Sequence, residues 1–184
     1  MKTIAAMLGT LLMLCSLGLA QTRDEKRTIS QVLDSSIKTV EGEFVPAAEA
    51  MPEEKYGFAP TNGEFKGVRT FAEQVKHVAA SNYLIGAHIL GEKPPVDAND
   101  GKGPDSVKSK AEILKYLKDS FAYAHKAVAS ITDANALESI PSSGGKSTTR
   151  LSVAMIFSWH AFDHYGQMVE YLRMNGIVPP ASRS

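Results

Sequence analysis

The sequence contains very little cysteine, because Cys15 is the only one among its 184 residues. Cys15 lies in an apolar run that begins after Lys2 and ends in small residues at Gly18 and Ala20. This order is typical of a secretory signal peptide, and we predict that residues 1–20 are cleaved off. The mature chain then contains no cysteine, which excludes disulfide bonds, a cysteine nucleophile and thiolate metal ligands.

The alternative to cleavage is a retained membrane anchor. The apolar run is short for a bilayer span, which needs about 20 residues. Lipidation is not expected either, because a lipoprotein signal needs a small residue where Leu14 precedes Cys15. We therefore expect residues 21–184 to form a single domain that is secreted or periplasmic and has no membrane segment.

The chain also lacks an excess of charge of either sign, with 20 basic and 20 acidic residues. A nucleic-acid-binding protein normally carries a basic patch, and no dense cluster of lysine and arginine is present, so no nucleic-acid partner is predicted.

The stretch "GGKST" at 144–148 resembles the end of a phosphate-binding loop. That motif requires a glycine at the position of Ile140, so we interpret the stretch as a connection that leads into a helix cap.

No segment alternates between apolar and polar residues for long enough to predict a strand. Instead, apolar residues recur at helical spacing in four segments, at about 28–51, 70–90, 109–131 and 149–175. Capping-box patterns begin the second and third of these, and Gly176 suits the end of the fourth. The sequence therefore predicts an all-α four-helix bundle, in which the long loops 52–68 and 91–108 leave room for a crossover connection.

His160 and His164 lie four residues apart on the apolar side of the fourth helix. On a helix this spacing separates two side chains by about 40° and about 6 Å, so both rings can converge on one ion. The alternative is that both are core residues, each of which needs hydrogen-bond partners. The spacing alone favours neither interpretation, and a metal site needs a third ligand from another helix.

The other three histidines are His77, His88 and His125, and each lies at the shoulder of its helix's apolar stripe. Periodicity does not choose a third ligand among them. None of the five histidines follows a glutamate by three residues, which disfavours a di-iron carboxylate centre.

Three stretches carry a family resemblance: "MPEEKYGFAP" at 51–60, "TFAEQVKHVAASN" at 70–82 and "HAFDHYGQMVEYLRMNGIVPP" at 160–180. In this order and spacing they resemble the DinB-like (damage-inducible) superfamily of metal-binding four-helix bundles. The resemblance implies that His77, His160 and His164 hold a divalent metal ion, zinc or nickel above all, with water in the remaining positions. His88 and His125 have no counterpart in the family's site and are interpreted as surface or shoulder residues.

The resemblance implies two uses for such an ion: transfer of a low-molecular-weight thiol, or hydrolysis of a small-molecule ligand that the sequence does not identify. Export disfavours thiol transfer, because such thiols are normally cytosolic. No clear general base is apparent; Asp163 and Glu73 are candidates to orient an imidazole, although Glu73 also fits a helix cap. The alternatives are a non-catalytic metal- or small-ligand-binding bundle and an interaction protein with structural histidines.

The fourth helix is apolar on nearly all sides, with Trp159, Phe162, Val169 and Leu172 off the histidine stripe. A helix with this pattern is usually buried on more than one side. We therefore predict a homodimer that uses this helix or its neighbour.

Overall fold

A computed structural model describes residues 26–183. Its four long helices are α1 (Ile29–Ala50), α2 (Phe71–Leu90), α3 (Lys110–Ala129) and α4 (Arg150–Met174), which confirms the all-α prediction. Within residues 26–183, no helix is long and apolar enough to cross a membrane. The predicted signal peptide lies outside the described residues and stays a prediction.

The helix ends follow local capping signals. The first three helices each begin with a capping box, at Thr28, Thr70 and Ser109, and the Thr149 hydroxyl accepts a hydrogen bond from the Ser152 amide at the start of α4. Such a cap contributes about 1 kcal/mol to stability. After α4, Gly176 adopts a φ of 72°, and its amide donates to the Arg173 carbonyl. These signals depend on neighbouring residues only, and the predicted bounds are correct to within two residues.

The four helices pack as a closed ring of neighbours. α1 packs against α3 and α4, and α2 packs against the same two helices, so α1 and α2 occupy opposite corners. The connection 51–70 therefore crosses the bundle, as the length of the 52–68 loop allows. The 91–109 loop instead joins the adjacent helices α2 and α3, and the second crossing is made by residues 130–149. Because of this order α2 and α4, which carry His77 and the His160–His164 pair, lie side by side.

The expectation that the chain contains no strand is wrong in one place. Residues Ser139–Pro141 and Ser147–Thr149 form strands β1 and β2 of a small antiparallel hairpin, with Ile140 opposite Thr148. Strands of three residues are too short for a period-two pattern to appear in the sequence. The "GGKST" stretch supplies the turn and the first two residues of β2, and the last residue of β2, Thr149, caps α4.

Close packing between α2 and α3 depends on Gly86. A Cβ atom at this position would lie only 2.6 Å from Tyr123 Cε1. We expect Gly86→Ala to lower the free energy of unfolding by about 1–3 kcal/mol, because the overlap outweighs alanine's better helix propensity. The control is Gly42→Ala in α1, where a Cβ would meet nothing within 4 Å. Chemical denaturation should show the control to be about 0.5–1 kcal/mol more stable than wild type, and equal effects of both changes would contradict the prediction.

Candidate metal centre

The structure brings His77, His160 and His164 together between α2 and α4. One nitrogen of each ring lies within 4.8 Å of the corresponding nitrogens of the other two rings. The Nε2 atoms of His77 and His160 are 3.1 Å apart. Two nitrogens bound to one tetrahedral zinc ion at 2.0–2.1 Å would be about 3.3 Å apart. The His77–His160 spacing therefore fits a shared divalent ion.

The proton on the His77 ring is placed by a backbone carbonyl. His77 Nδ1 lies 2.6 Å from the Gly101 carbonyl oxygen, which can only accept a hydrogen bond. The ring therefore carries its proton on Nδ1, and Nε2 keeps a lone pair for a metal ion. An acceptor of this kind behind a ligand ring is usual in metal sites, because it orients the ring and raises its basicity.

The loop that supplies this carbonyl has an unusual backbone. Asn99, Asp100 and Gly101 are consecutive residues with left-handed φ values of 44°, 49° and 84°. Glycine adopts this region freely, and asparagine and aspartate do so more readily than other residues. The sequence therefore suits a tight loop, which holds the Gly101 carbonyl against His77.

His164 is anchored by a buried glutamine. Its Nδ1 donates to Gln74 Oε1 over 2.6 Å, and the Gln74 Nε2 donates to Gln167 Oε1 over 2.8 Å. His164 is 6% exposed and Gln74 is 1% exposed, so neither side chain can rely on water for a partner. Gln74 was not predicted from the sequence as part of the site. Its position one turn before His77, on the same side of the helix, was the signal that could have identified it.

His160 differs from the other two histidines in its hydrogen bonds. Within the described part of the chain, no group is hydrogen-bonded to its Nδ1, and its Nε2 faces the lone pair of His77 Nε2. In the metal-free protein His160 Nε2 therefore donates to His77. The indole of Trp159 lies edge-on to the His160 ring, with the ring centroids 6.2 Å apart.

All three rings are neutral at physiological pH. Burial, the neighbouring imidazoles and the Arg69 cation lower the pKa of His164 to about 4. Burial, the His77 ring and Arg69 lower the pKa of His160 to about 4, against an opposing effect of Asp163. Burial also lowers the pKa of His77, although its bond to Gly101 works in the other direction. Neutral rings are the form that binds a metal ion.

These pKa values predict how the metal-free protein responds to acid. The histidine pKa is about 6.5 in the unfolded chain, so between pH 6.5 and pH 4 the unfolded state takes up protons that His160 and His164 in the folded state do not. The free energy of unfolding should therefore fall as the pH decreases through this window, with no contribution above it. Between pH 6.5 and pH 5 we expect the free energy of unfolding to fall by roughly 2 kcal/mol because of His160 and His164 together, after allowance for solvent screening.

Denaturation of the chelator-treated protein at both pH values measures this loss. The double variant His160→Leu/His164→Leu should lose less stability than wild type over the same range. Replacement of the exposed His88 by leucine leaves the triad intact and is the control for the substitution itself. A wild-type slope in the double variant would contradict the assignment.

Glu73 and Asp163, the two carboxylates that the sequence suggested as candidates to orient an imidazole, are not hydrogen-bonded to any of the three rings. Glu73 is held in the N-terminal cap of α2, where its Oε2 accepts from the Thr70 amide over 2.7 Å. Asp163 is exposed, and its Oδ2 accepts from Gln167 Nε2 over 3.3 Å. Asp163 is therefore connected to His164 only through two glutamines.

His88 and His125 lie away from the triad. The exposed His88 has its Nε2 2.6 Å from the Pro141 carbonyl oxygen, where it ties α2 to the hairpin. His125 lies between two carboxylates of α1, with Nδ1 2.6 Å from Asp34 and Nε2 3.0 Å from Glu41. Both contacts hold structural elements together.

A cleft of about 710 Å³ has Gln74 and Gln167 in its wall, so it lies next to the glutamines that anchor His164, although none of the three histidines lines it. Its charged lining comprises three cations and two carboxylates, from Arg69, Lys76, Lys102, Glu73 and Asp105. Three cations against two carboxylates give the lining a net positive charge. The cleft is large enough for a small molecule.

Comparison with known proteins gives consistent matches. Residues 36–168 match the family model of the DinB superfamily. A conserved protein from Enterococcus faecalis shares the fold at 15% identity and a TM-score of 0.65, over 80% of this chain and 97% of that one. A DinB-like protein from Bacillus cereus does so at 17% identity and a TM-score of 0.65, over 83% and 96%. A search of curated proteins found no match to the sequence.

Proposed function

Since the chain belongs to the DinB superfamily, we propose that His77, His160 and His164 hold a divalent metal ion, zinc or nickel. The observation that carries the proposal is the convergence of three neutral imidazoles within 4.8 Å, two of them with Nδ1 held by an acceptor. Nitrogen ligands suit both ions. Three protein ligands leave a coordination position for water or for an atom of a substrate.

An ion with an open position acts as a Lewis acid, which polarises a carbonyl or lowers the pKa of a bound water or thiol. The chain's own contribution is to orient the ligand rings and to offer a small-molecule cleft with Arg69 and Lys102 on its wall. We therefore propose a metal-dependent hydrolase or thiol transferase. Export, predicted from residues 1–20, would favour hydrolysis of the two.

A non-catalytic metal- or ligand-binding bundle is the second candidate. Among the described residues, the hydrogen-bond partners of the three rings include no carboxylate. A general base is therefore missing from the immediate surroundings of the triad, whereas hydrolysis usually uses one. This observation favours binding without turnover.

Cobalt substitution distinguishes these functions. Cobalt(II) should bind to the metal-free protein, and its visible spectrum should change when azide or a small thiol enters the open position. Ester hydrolysis and thiol addition to an electrophilic aromatic are then assayed with metal-loaded wild type and with His160→Ala. Turnover by wild type that is lost in His160→Ala would support the enzymatic function. A spectral change without turnover would support the non-catalytic binding function. Failure to take up cobalt, zinc or nickel would contradict both.

We also propose that the protein is a homodimer through an apolar face formed by α1 and α4. The face contains a groove of about 480 Å³, and Val32, Met155 and Trp159 on its walls are more than half exposed. Leu172 of α4 is buried in the bundle core, so only part of the off-stripe apolar surface is available to a partner. Exposed apolar surface of this kind commonly marks a protein interface.

Light scattering at micromolar concentration tests the dimer. Wild type should show twice the mass of one chain, and Trp159→Glu should be monomeric because it places a charge in the apolar face. Met174→Glu, which alters an exposed residue of α4 outside the groove, should remain dimeric. A monomeric wild type would refute the proposal.

A further inference from the structure

Four polar groups form a continuous chain of hydrogen bonds from the surface of α4 to the buried His164. Gln167 Nε2 lies 3.3 Å from Asp163 Oδ2 and 3.5 Å from the Asp163 carbonyl oxygen. Gln167 Oε1 is 2.8 Å from Gln74 Nε2, and Gln74 Oε1 is 2.6 Å from His164 Nδ1. The chain crosses from α4 to α2 and returns to α4.

This chain can run in only one direction. A carboxylate and a carbonyl are acceptors without a proton, so Gln167 must present its NH₂ group to Asp163. Gln167 Oε1 then faces Gln74, which must present its own NH₂ group in return. The Gln74 oxygen is left for His164, whose Nδ1 must carry the proton. If Gln167 were rotated by 180°, its oxygen would lie against the oxygens of Asp163.

We propose that Asp163, Gln167 and Gln74 form a directional hydrogen-bond relay that holds His164 in its Nδ1–H tautomer and leaves its Nε2 lone pair free for the metal ion. All three are positioning residues that act through His164. The use of the relay rests on the proposed metal function, but the tautomer it sets is a property of the metal-free protein as well.

The relay acts on His164 alone, because the tautomers of His77 and His160 are set by other groups. A backbone carbonyl sets the tautomer of His77, whereas the only hydrogen-bond partner of His160 among the described residues is His77 Nε2 itself. A proton on His164 Nε2 would occupy the position that a metal ion needs. Because His164 is almost fully buried, water cannot supply an alternative partner for Nδ1. The acceptor must therefore come from the protein, and its orientation is controlled from the exposed end at Asp163.

Three variants separate the relay from a general packing role. Gln167→Met keeps a side chain of similar length but offers Gln74 no strong acceptor, so both Gln74 orientations become accessible. Its affinity for zinc should fall about 10-fold, at the lower end of the range for residues that orient metal ligands. D163N/Q167E has the net charge of wild type and places a carboxylate directly against Gln74, so affinity should return to within about threefold of wild type. Glu170→Gln removes an exposed charge from α4 and should change nothing.

Two measurements are made on the full chain: zinc affinity by chelator competition, and imidazole ¹⁵N shifts of the metal-free protein. His164 should be protonated on Nδ1 in wild type and D163N/Q167E, and should populate both tautomers in Gln167→Met. An Nε2–H tautomer in wild type, or an unchanged tautomer in Gln167→Met, would overturn the relay. If the tautomers behave as expected and no variant binds zinc, the relay stands and the proposed metal function fails.

Discussion

Single replacement of His77, His160 or His164 by alanine is expected to abolish stoichiometric metal binding by residues 21–184. Each variant leaves two imidazoles, and two ligands do not hold zinc or nickel in a stable protein site. Elemental analysis of the tag-free protein measures the effect directly. His88→Ala should retain full occupancy, because His88 is exposed and contacts the hairpin instead of the triad.

The same variants should lose the stabilisation that metal gives to wild type. A ligand at 100 times its Kd raises the free energy of unfolding by about 2.7 kcal/mol. Thermal melts with and without added zinc should therefore shift for wild type and His88→Ala but not for the triad variants. A triad variant that keeps full metal occupancy, or a wild type that binds no metal, would refute the assignment.

Phe44→Ala is expected to lower the free energy of unfolding by about 3–5 kcal/mol. The Phe44 ring is fully buried on α1 and packs edge-on against Phe121 of α3, with centroids 6.3 Å apart. Truncation removes this contact and leaves a cavity between the helices. Since small domains have about 5–15 kcal/mol of stability in total, the loss is a large fraction of it.

Denaturant titration in the presence of a chelator measures this change without a contribution from metal. Phe65→Ala is the matched control, because Phe65 lies in the loop before α2 and is exposed. The control should change stability by less than about 1 kcal/mol. An equal effect at both positions would show that the contact between α1 and α3 is not a main source of stability.

Comparison of α2 and α4, the two helices that carry the triad, shows why the site was only partly predictable. The i, i+4 spacing of His160 and His164 is visible in the sequence, since both lie on an apolar stripe. His77 came from the family resemblance, and periodicity placed it on a shoulder of α2. The face of α2 toward α4 is formed partly by polar residues, and Gln74 is almost fully buried there. A hydrophobicity pattern counts such residues as surface and therefore misplaces the face.

Local interactions were sufficient for the sequence to determine four helices and their capped ends. Together with the predicted cleavage of residues 1–20, the sequence also limits the expected metal ligands to nitrogen and oxygen. Only the tertiary structure decided which helices are neighbours and which partner holds each ring. His77 meets the Gly101 carbonyl across 24 residues, and His164 meets Gln74 across 90. Such contacts depend on how far each helix is rotated about its axis. The packing of all four helices together sets this rotation, and the apolar stripe of a single helix does not specify it closely enough to place polar partners.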